Sequence, residues 1–251
     1  VLSRGLRDTA AALDAVAGRA RGPEPDPDLG RLASEALARP PGPLRIGVCA
    51  EGPPGFPVEA ERQQAVGEAA GLLAAAGHAL VAIDPERLGR FTAQATSVFD
   101  HVIAVNAARN LGPLGPAALA RVEPLTRAVV ARGLAIGGVA LQAALAAGVA
   151  VAHGMWRLFD EVDVLLTPML ATAPPPLGAF PMDGEDVDEN WRRMNAFAPY
   201  AMLANVAGVP ALSIPRGLDR AGLPLAVQLI GAMATDARLL AVGRQLDDRL
   251  T

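Results

Sequence analysis

Four serines, one cysteine and three histidines are the nucleophiles and neutral-pH bases this chain can offer, and it has no lysine. Nucleophilic catalysis needs such a group beside a base, with donors aimed at the oxyanion that develops. Ser3, Ser34, Ser97 and Ser213 are isolated, and none stands in a Gly-rich loop next to another Ser. Ser213 falls in an apolar run expected to be a strand, where a side chain packs on a face and does not stand on the sharp turn of a nucleophile elbow. All 22 basic residues are Arg, whose guanidinium keeps its proton at any usable pH and so cannot act as a base. His78, His101 and His153 lie more than twenty positions apart; they lack the close helical spacing that metal sites use and read as structural. Cys49 closes the apolar run 44–49 with no His nearby to lower its pKa, which fits a small strand residue. The acidic run Asp183 to Glu189 reads as a solvated loop. These residues yield no catalytic set, no metal site and no cofactor.

The elements that would position any chemistry follow from hydrophobic period and turn residues. Leu6, Ala10, Leu13 and Ala17 share one helical face of residues 3–17, which Gly18 closes. A Pro-rich connecting segment covers 19–43, with Pro23, Pro25, Pro27, Pro40, Pro41 and Pro43, and one short helix is expected within 29–38. Residues 44–49 read as a buried strand. A helix from Val58 with the stripe Val66, Ala69, Leu73 and Ala76 stops at Gly77, and 79–83 reads as the next strand. This strand–helix–strand unit implies parallel pairing, so the expected fold is α/β, a mixed and mostly parallel sheet flanked by helices. Residues 87–159 are helical in period, with breaks expected at 112–116 and at Gly133. A strand at 163–167 leads into a Pro-rich loop, a helix is expected over 189–206, strands at 211–214 and 225–230 form a hairpin around 219–222, and a last helix spans 236–246.

At 251 residues, 51% hydrophobic and 19% charged, the chain can enclose a sizeable core and should fold. A net charge of -4 and a pI near 5.4 argue against nucleic acid as the main ligand, which needs a basic footprint. The most apolar stretch, Gly133 to Gly154, is interrupted by Gln142 and rich in Ala and Gly; it reads as a buried helical region and not as a membrane span. The single cysteine permits no intrachain disulfide and fits a reducing, cytoplasmic setting. The chain opens on Val with no cationic segment before an apolar one, so no signal peptide is read and the opening looks cut.

Four segments in this order resemble the amidase-signature family. They are Arg4 to Gly18; Leu44 to Val48 with the following helix and the turn Gly77-His78; Asp163-Val164-Leu165-Leu166-Thr167-Pro168; and Asn205 to Pro215 continued by Gly222 to Gly231. Each alone is common, and their order and spacing carry the likeness across nearly the whole chain. The resemblance implies an amidase-signature domain of which residues 1–251 are the carboxyl-terminal portion. It further implies cleavage of a carboxamide C–N bond by a Ser nucleophile, a second Ser that relays the proton and a Lys base, held in a Gly/Ser-rich stretch that precedes everything in this sequence. None of those three residues has a counterpart here.

Because ligands of α/β sheets collect outside the carboxyl ends of strands, the loop after the 163–167 strand supplies the expected substrate-pocket wall: Thr167, Met169, Leu170 and Thr172. Met169 stands where many family members have a small hydroxyl residue, which suggests an apolar pocket. Asn205 is expected to tie a helix end to the following loop. Ala207 and Val209 stand where polar residues are frequent in the family, and Tyr200-Ala201 stands where an aromatic-Thr pair is common. Three readings stay open. The first is an amidase piece that supplies scaffold and pocket, partnered by a small-molecule amide and the missing amino-terminal catalytic segment, with no nucleic acid and no membrane. The second is a non-catalytic homologue that binds a small molecule or a protein. The third is the A subunit of an aminoacyl-tRNA amidotransferase, disfavoured by the acidic pI and the lack of Lys for an RNA surface. Apolar faces left open by a missing segment would also favour a homo-oligomer.

Overall fold

The computed structural model describes residues 1–18 and 32–247. Much of the connecting segment, with Pro23, Pro25 and Pro27, therefore lies outside the described residues. The chain begins with α1 (Leu6–Val16) and α2 (Leu32–Ala36), then β1 (Arg45–Val48), α3 (Ala60–Ala75) and β2 (Ala79–Ala82). The helical stretch follows as α4 (Pro85–Leu111), a 3-10 turn (Gly112–Leu114), α5 (Pro116–Leu119), α6 (Pro124–Ala135) and α7 (Gly138–Glu161). It closes with β3 (Val164–Pro168), α8 (Val187–Phe197), α9 (Ala201–Ala207), the hairpin β4 (Ala211–Leu218) and β5 (Pro224–Gly231), and α10 (Asp236–Leu246).

The strands form one five-stranded sheet in the order β2-β1-β3-β5-β4. β1 pairs in parallel with β2 and β3, while β5 pairs antiparallel with β3 and β4. Four strands thus point one way and β5 alone runs against them, which makes the sheet mixed. All five residues of β3 are buried, as a central strand covered on both faces must be. Val164 and Leu166 face a core shared with Leu6, Val66, Leu73, Leu229 and Leu239. Leu165 faces the opposite core with Leu88, Met155, Leu158 and Leu203. The period of two in the strand thereby sorts the helices into layers, with α1, α3 and α10 on one face and α4, α7 and α9 on the other.

Several local expectations are corrected. Gly133 does not break the helix; it lies inside α6, where a Cβ would stand 2.0 Å from the Ala104 carbonyl oxygen, so it is the residue that lets α6 and α4 touch. Ala76 is exposed and outside the α3 stripe, which uses Ala65, Val66, Ala69, Ala70 and Leu73. The helix expected over 189–206 is two, because Ala198, held out of the helical region before Pro199 at φ -132° and ψ 70°, ends α8. Asn205 does not reach the following loop: its Nδ2 donates to the Ala201 carbonyl one turn back, at 3.0 Å. Gly208, at φ 65°, closes α9 in the left-handed region.

The apolar helical region is also less buried than expected. α7 turns Val151, Met155 and Leu158 into the core, but only 17% of its most apolar 18 residues are buried. By length and composition α7 is the one helix among the described residues that could cross a membrane. Val139 (88% exposed), Val149 and Trp156 stand on its open side.

Candidate functional site

β3 delivers its carboxyl end to a tightly stapled loop. Thr167 is fully buried, opposite Gln228 in the β3–β5 register, and its hydroxyl reaches Gln228 Oε1 at 3.3 Å and the Pro168 carbonyl at 3.2 Å. Gln228 is itself buried, so this pair satisfies polar atoms inside the sheet. The amide of Met169 then donates to the Ala226 carbonyl (3.3 Å), and that of Ala171 to the Phe197 carbonyl at the end of α8 (2.9 Å). The Ala171 carbonyl accepts from the Glu59 amide (2.8 Å), while the Glu59 carboxylate accepts from the Ala173 amide (3.1 Å). Met169, Leu170 and Thr172 remain partly exposed on this fixed segment.

Beside the loop lies an apolar cleft of about 490 Å³. One helical face of α6 (Leu125, Thr126, Val129) and one of α8 (Asn190, Trp191, Met194, Phe197, Ala198) form its walls, and Phe180 and Met182 of the loop close one side. The spacings i, i+1, i+4 and i, i+1, i+4, i+7, i+8 are those of residues on one helix face. The Leu125 amide donates to the Met182 carbonyl (3.1 Å), and the rings of Phe180 and Phe197 meet edge to face at 5.8 Å. Trp191 stands perpendicular to Phe99 at 5.6 Å. Its Nε1 is shut off from solvent and has no acceptor among the described residues, so the indole offers carbon to the cleft. None of Thr167, Met169, Leu170 and Thr172 lines this cleft. Sequence reasoning passed over it because its walls lie more than fifty residues apart.

Residues 183–186 of the acidic run are an exposed loop, as expected, and the run's last three residues, 187–189, begin α8. Asp186 caps α8 by accepting from the Glu189 amide at 2.9 Å, a D-x-x-E start that the sequence already spells. Arg132 of α6 bridges Asp100 (3.1 Å) and Asp188 (2.8 Å), and it holds the Asp188 carboxyl below the ordinary range. Hydrogen bonds from Arg192 and Arg193 bring the Glu189 carboxyl from the ordinary 4.5 to about 2. Of these pairs, Arg132–Asp188 joins the two helices that wall the cleft.

The cysteine and the histidines lie apart from the loop and the cleft. Cys49 is buried, and burial pushes its thiol pKa up, the reverse of what a nucleophile needs. The hydroxyl of buried Tyr200 lies 3.4 Å from Cys49 Sγ and donates to the Glu51 carbonyl at 2.8 Å. His78 Nδ1 accepts from the Leu44 amide (3.1 Å), which leaves Nε2 to donate to Gln245 Oε1 (2.8 Å). His101 bonds the Ser97 carbonyl of its own helix, and His153 sits beside Trp156. Among the described residues no group of His, Cys, Asp and Glu is arranged to hold a metal ion.

A mixed sheet between helix layers is an architecture shared with solved amide hydrolases. The structure of 6-aminohexanoate cyclic dimer hydrolase complexed with substrate superposes with a TM-score of 0.83 at 27% identity, over 97% of this chain and 53% of that one. The family model described as Amidase matches residues 1–240, and the chain belongs to the amidase family. In sequence it is 32% identical over 248 residues to a Mycobacterium tuberculosis protein named as the amidase AmiB2, which covers 98% of this chain and 50% of that protein. It is 31% identical over 264 residues to the 6-aminohexanoate-cyclic-dimer hydrolase of Paenarthrobacter ureafaciens, 100% of this chain and 53% of that enzyme. The chain spans about half the length of these relatives.

Proposed function

We propose that this chain is the scaffold and substrate side of an amidase, and that polypeptide outside residues 1–251 supplies the catalytic set. The observation that carries this reading is a family match running over 1–240 in a sequence with no lysine and only isolated serines. In the Ser-Ser-Lys scheme the resemblance implies, a Ser oxygen attacks the amide carbon while Lys, through the second Ser, accepts its proton. The amine leaves with a proton, and water then releases the acid from the acyl-enzyme. Every one of those proton transfers needs a residue this chain lacks, so alone it is inactive.

Its own contribution is position. Met169, Leu170 and Thr172 form the pocket wall in this reading; Thr167, expected in the wall with them, is fully buried and supports them from behind by fixing the end of β3. Their partial exposure, the three backbone–backbone hydrogen bonds and the one to the Glu59 carboxylate support the assignment, since a rigid wall orients a substrate better than a mobile one. Met169 makes that wall apolar.

The test is direct: the purified chain is assayed with simple carboxamides, and product formation should not exceed the uncatalysed background. Saturable turnover that Ser213→Ala abolishes would overturn the reading.

A further inference from the structure

We infer that the cleft between α6 and α8 is a binding site for an uncharged aromatic group of the amide substrate. This rests on the amidase reading and adds the substrate class. About 490 Å³ lies within the range of small-molecule sites and exceeds the roughly 150 Å³ that holds a benzene, so a phenyl ring with a short chain fits. Phe180, Trp191 and Phe197 supply rings, and Met182 and Met194 supply thioethers, which adapt to ring edges. No charged side chain lines the cleft, and Thr126 and Asn190 are its only polar side chains. A charged group entering it would lose its hydration without a partner.

The cleft is tied to the proposed pocket wall through one backbone hydrogen bond. The Ala171 amide bonds the Phe197 carbonyl at 2.9 Å, so the residue that lines the cleft also anchors the loop carrying Met169 to Thr172. A ring seated against Phe197 rests on the residue whose backbone holds that loop. Met182 and Met194 are 44% and 39% exposed, large apolar side chains left open at the mouth.

Binding is measured on the 251-residue chain by ligand-observed NMR titration with benzamide, acetamide and 6-aminohexanamide. A Trp156→Phe background makes Trp191 the only indole reporter. Benzamide is expected to saturate at least about tenfold more tightly than the other two and to shift Trp191 emission. Ala198→Phe, which fills the cleft, and Thr126→Arg, which charges its rim, should each abolish the difference while thermal unfolding confirms a folded chain. Equal binding of the three amides, or benzamide binding that survives both substitutions, would overturn the assignment. No turnover is read, so failure here leaves the amidase reading standing, and failure of that reading leaves the binding result intact.

Discussion

Arg62 of α3 and Asp219 of the β4–β5 turn, 157 positions apart, meet at 3.0 Å with both side chains nearly enclosed. Asp219 also accepts from the amides of Ala221 (2.9 Å) and Leu223 (2.8 Å), and Arg62 donates to Glu59 at 3.2 Å. One guanidinium thus joins the turn of the antiparallel hairpin to the start of the helix that covers the parallel strands.

Arg62→Ala leaves an enclosed carboxylate without its cation, and the melting temperature should fall by roughly 5 °C or more. Arg62→Lys should recover only part of the loss, because an ammonium cannot present the planar fork that reaches both Glu59 and Asp219. Circular dichroism melts of the three proteins check this; equal melting of all three would show that the pair contributes nothing.

A methyl at position 133 should part α6 from α4. The Cβ of Gly133→Ala would lie 2.0 Å from the Ala104 oxygen, a main-chain atom that cannot rotate away. We expect a loss of about 1–3 kcal/mol in urea unfolding. Gly71→Ala, on the exposed side of α3 where nothing lies within 4 Å of the new atom, is the control and should be neutral or slightly stabilising.

The start of α8 should be sensitive to acid. With its carboxyl brought from 4.5 to about 2 by Arg192 and Arg193, Glu189 stabilises the folded state fully above about pH 4.5. That contribution is lost as the pH falls toward 2. The protection factors of the amides of residues 187–193, with the intrinsic pH dependence of exchange divided out, should fall through this window, and 1 M salt, which screens exposed pairs, should blunt the effect. A Glu189→Gln chain with the same pH profile would refute the assignment.

The open side of α7 should bind a hydrophobic dye. Val139 and Val149 are 88% and 55% exposed, and exposed apolar patches of this kind mark contact surfaces. The double substitution Val139→Glu, Val149→Glu should remove the larger part of the dye fluorescence and any self-association in sedimentation, with the melting temperature retained. Undiminished fluorescence would locate the dye elsewhere.

The sequence by itself determined the elements whose signals are local. Residues 44–49, 163–167 and 225–230 are short apolar runs bounded by turn residues, and they became β1, β3 and β5; the period-3.6 stripe of 66, 69 and 73 became the buried face of α3. Two local signals were present and passed over: Asp186 with Glu189 as a helix start, and Pro199 as a helix stop. The ordered family segments carried the family and its α/β class for the same reason, being contiguous patterns.

Tertiary structure alone decided the rest. That α7 buries Val151, Met155 and Leu158 and leaves its other side open cannot be read from composition, because both sides are apolar and only neighbouring helices distinguish them. That Gly133 is a contact point and not a break depends on Ala104, which α4 brings to it. The cleft exists because the Leu125–Met182 hydrogen bond and the Phe180–Phe197 contact bring residues 125–129 against 190–198. Periodicity reports which face of a helix is apolar; which face it meets is a property of long-range packing, and that information is in the fold.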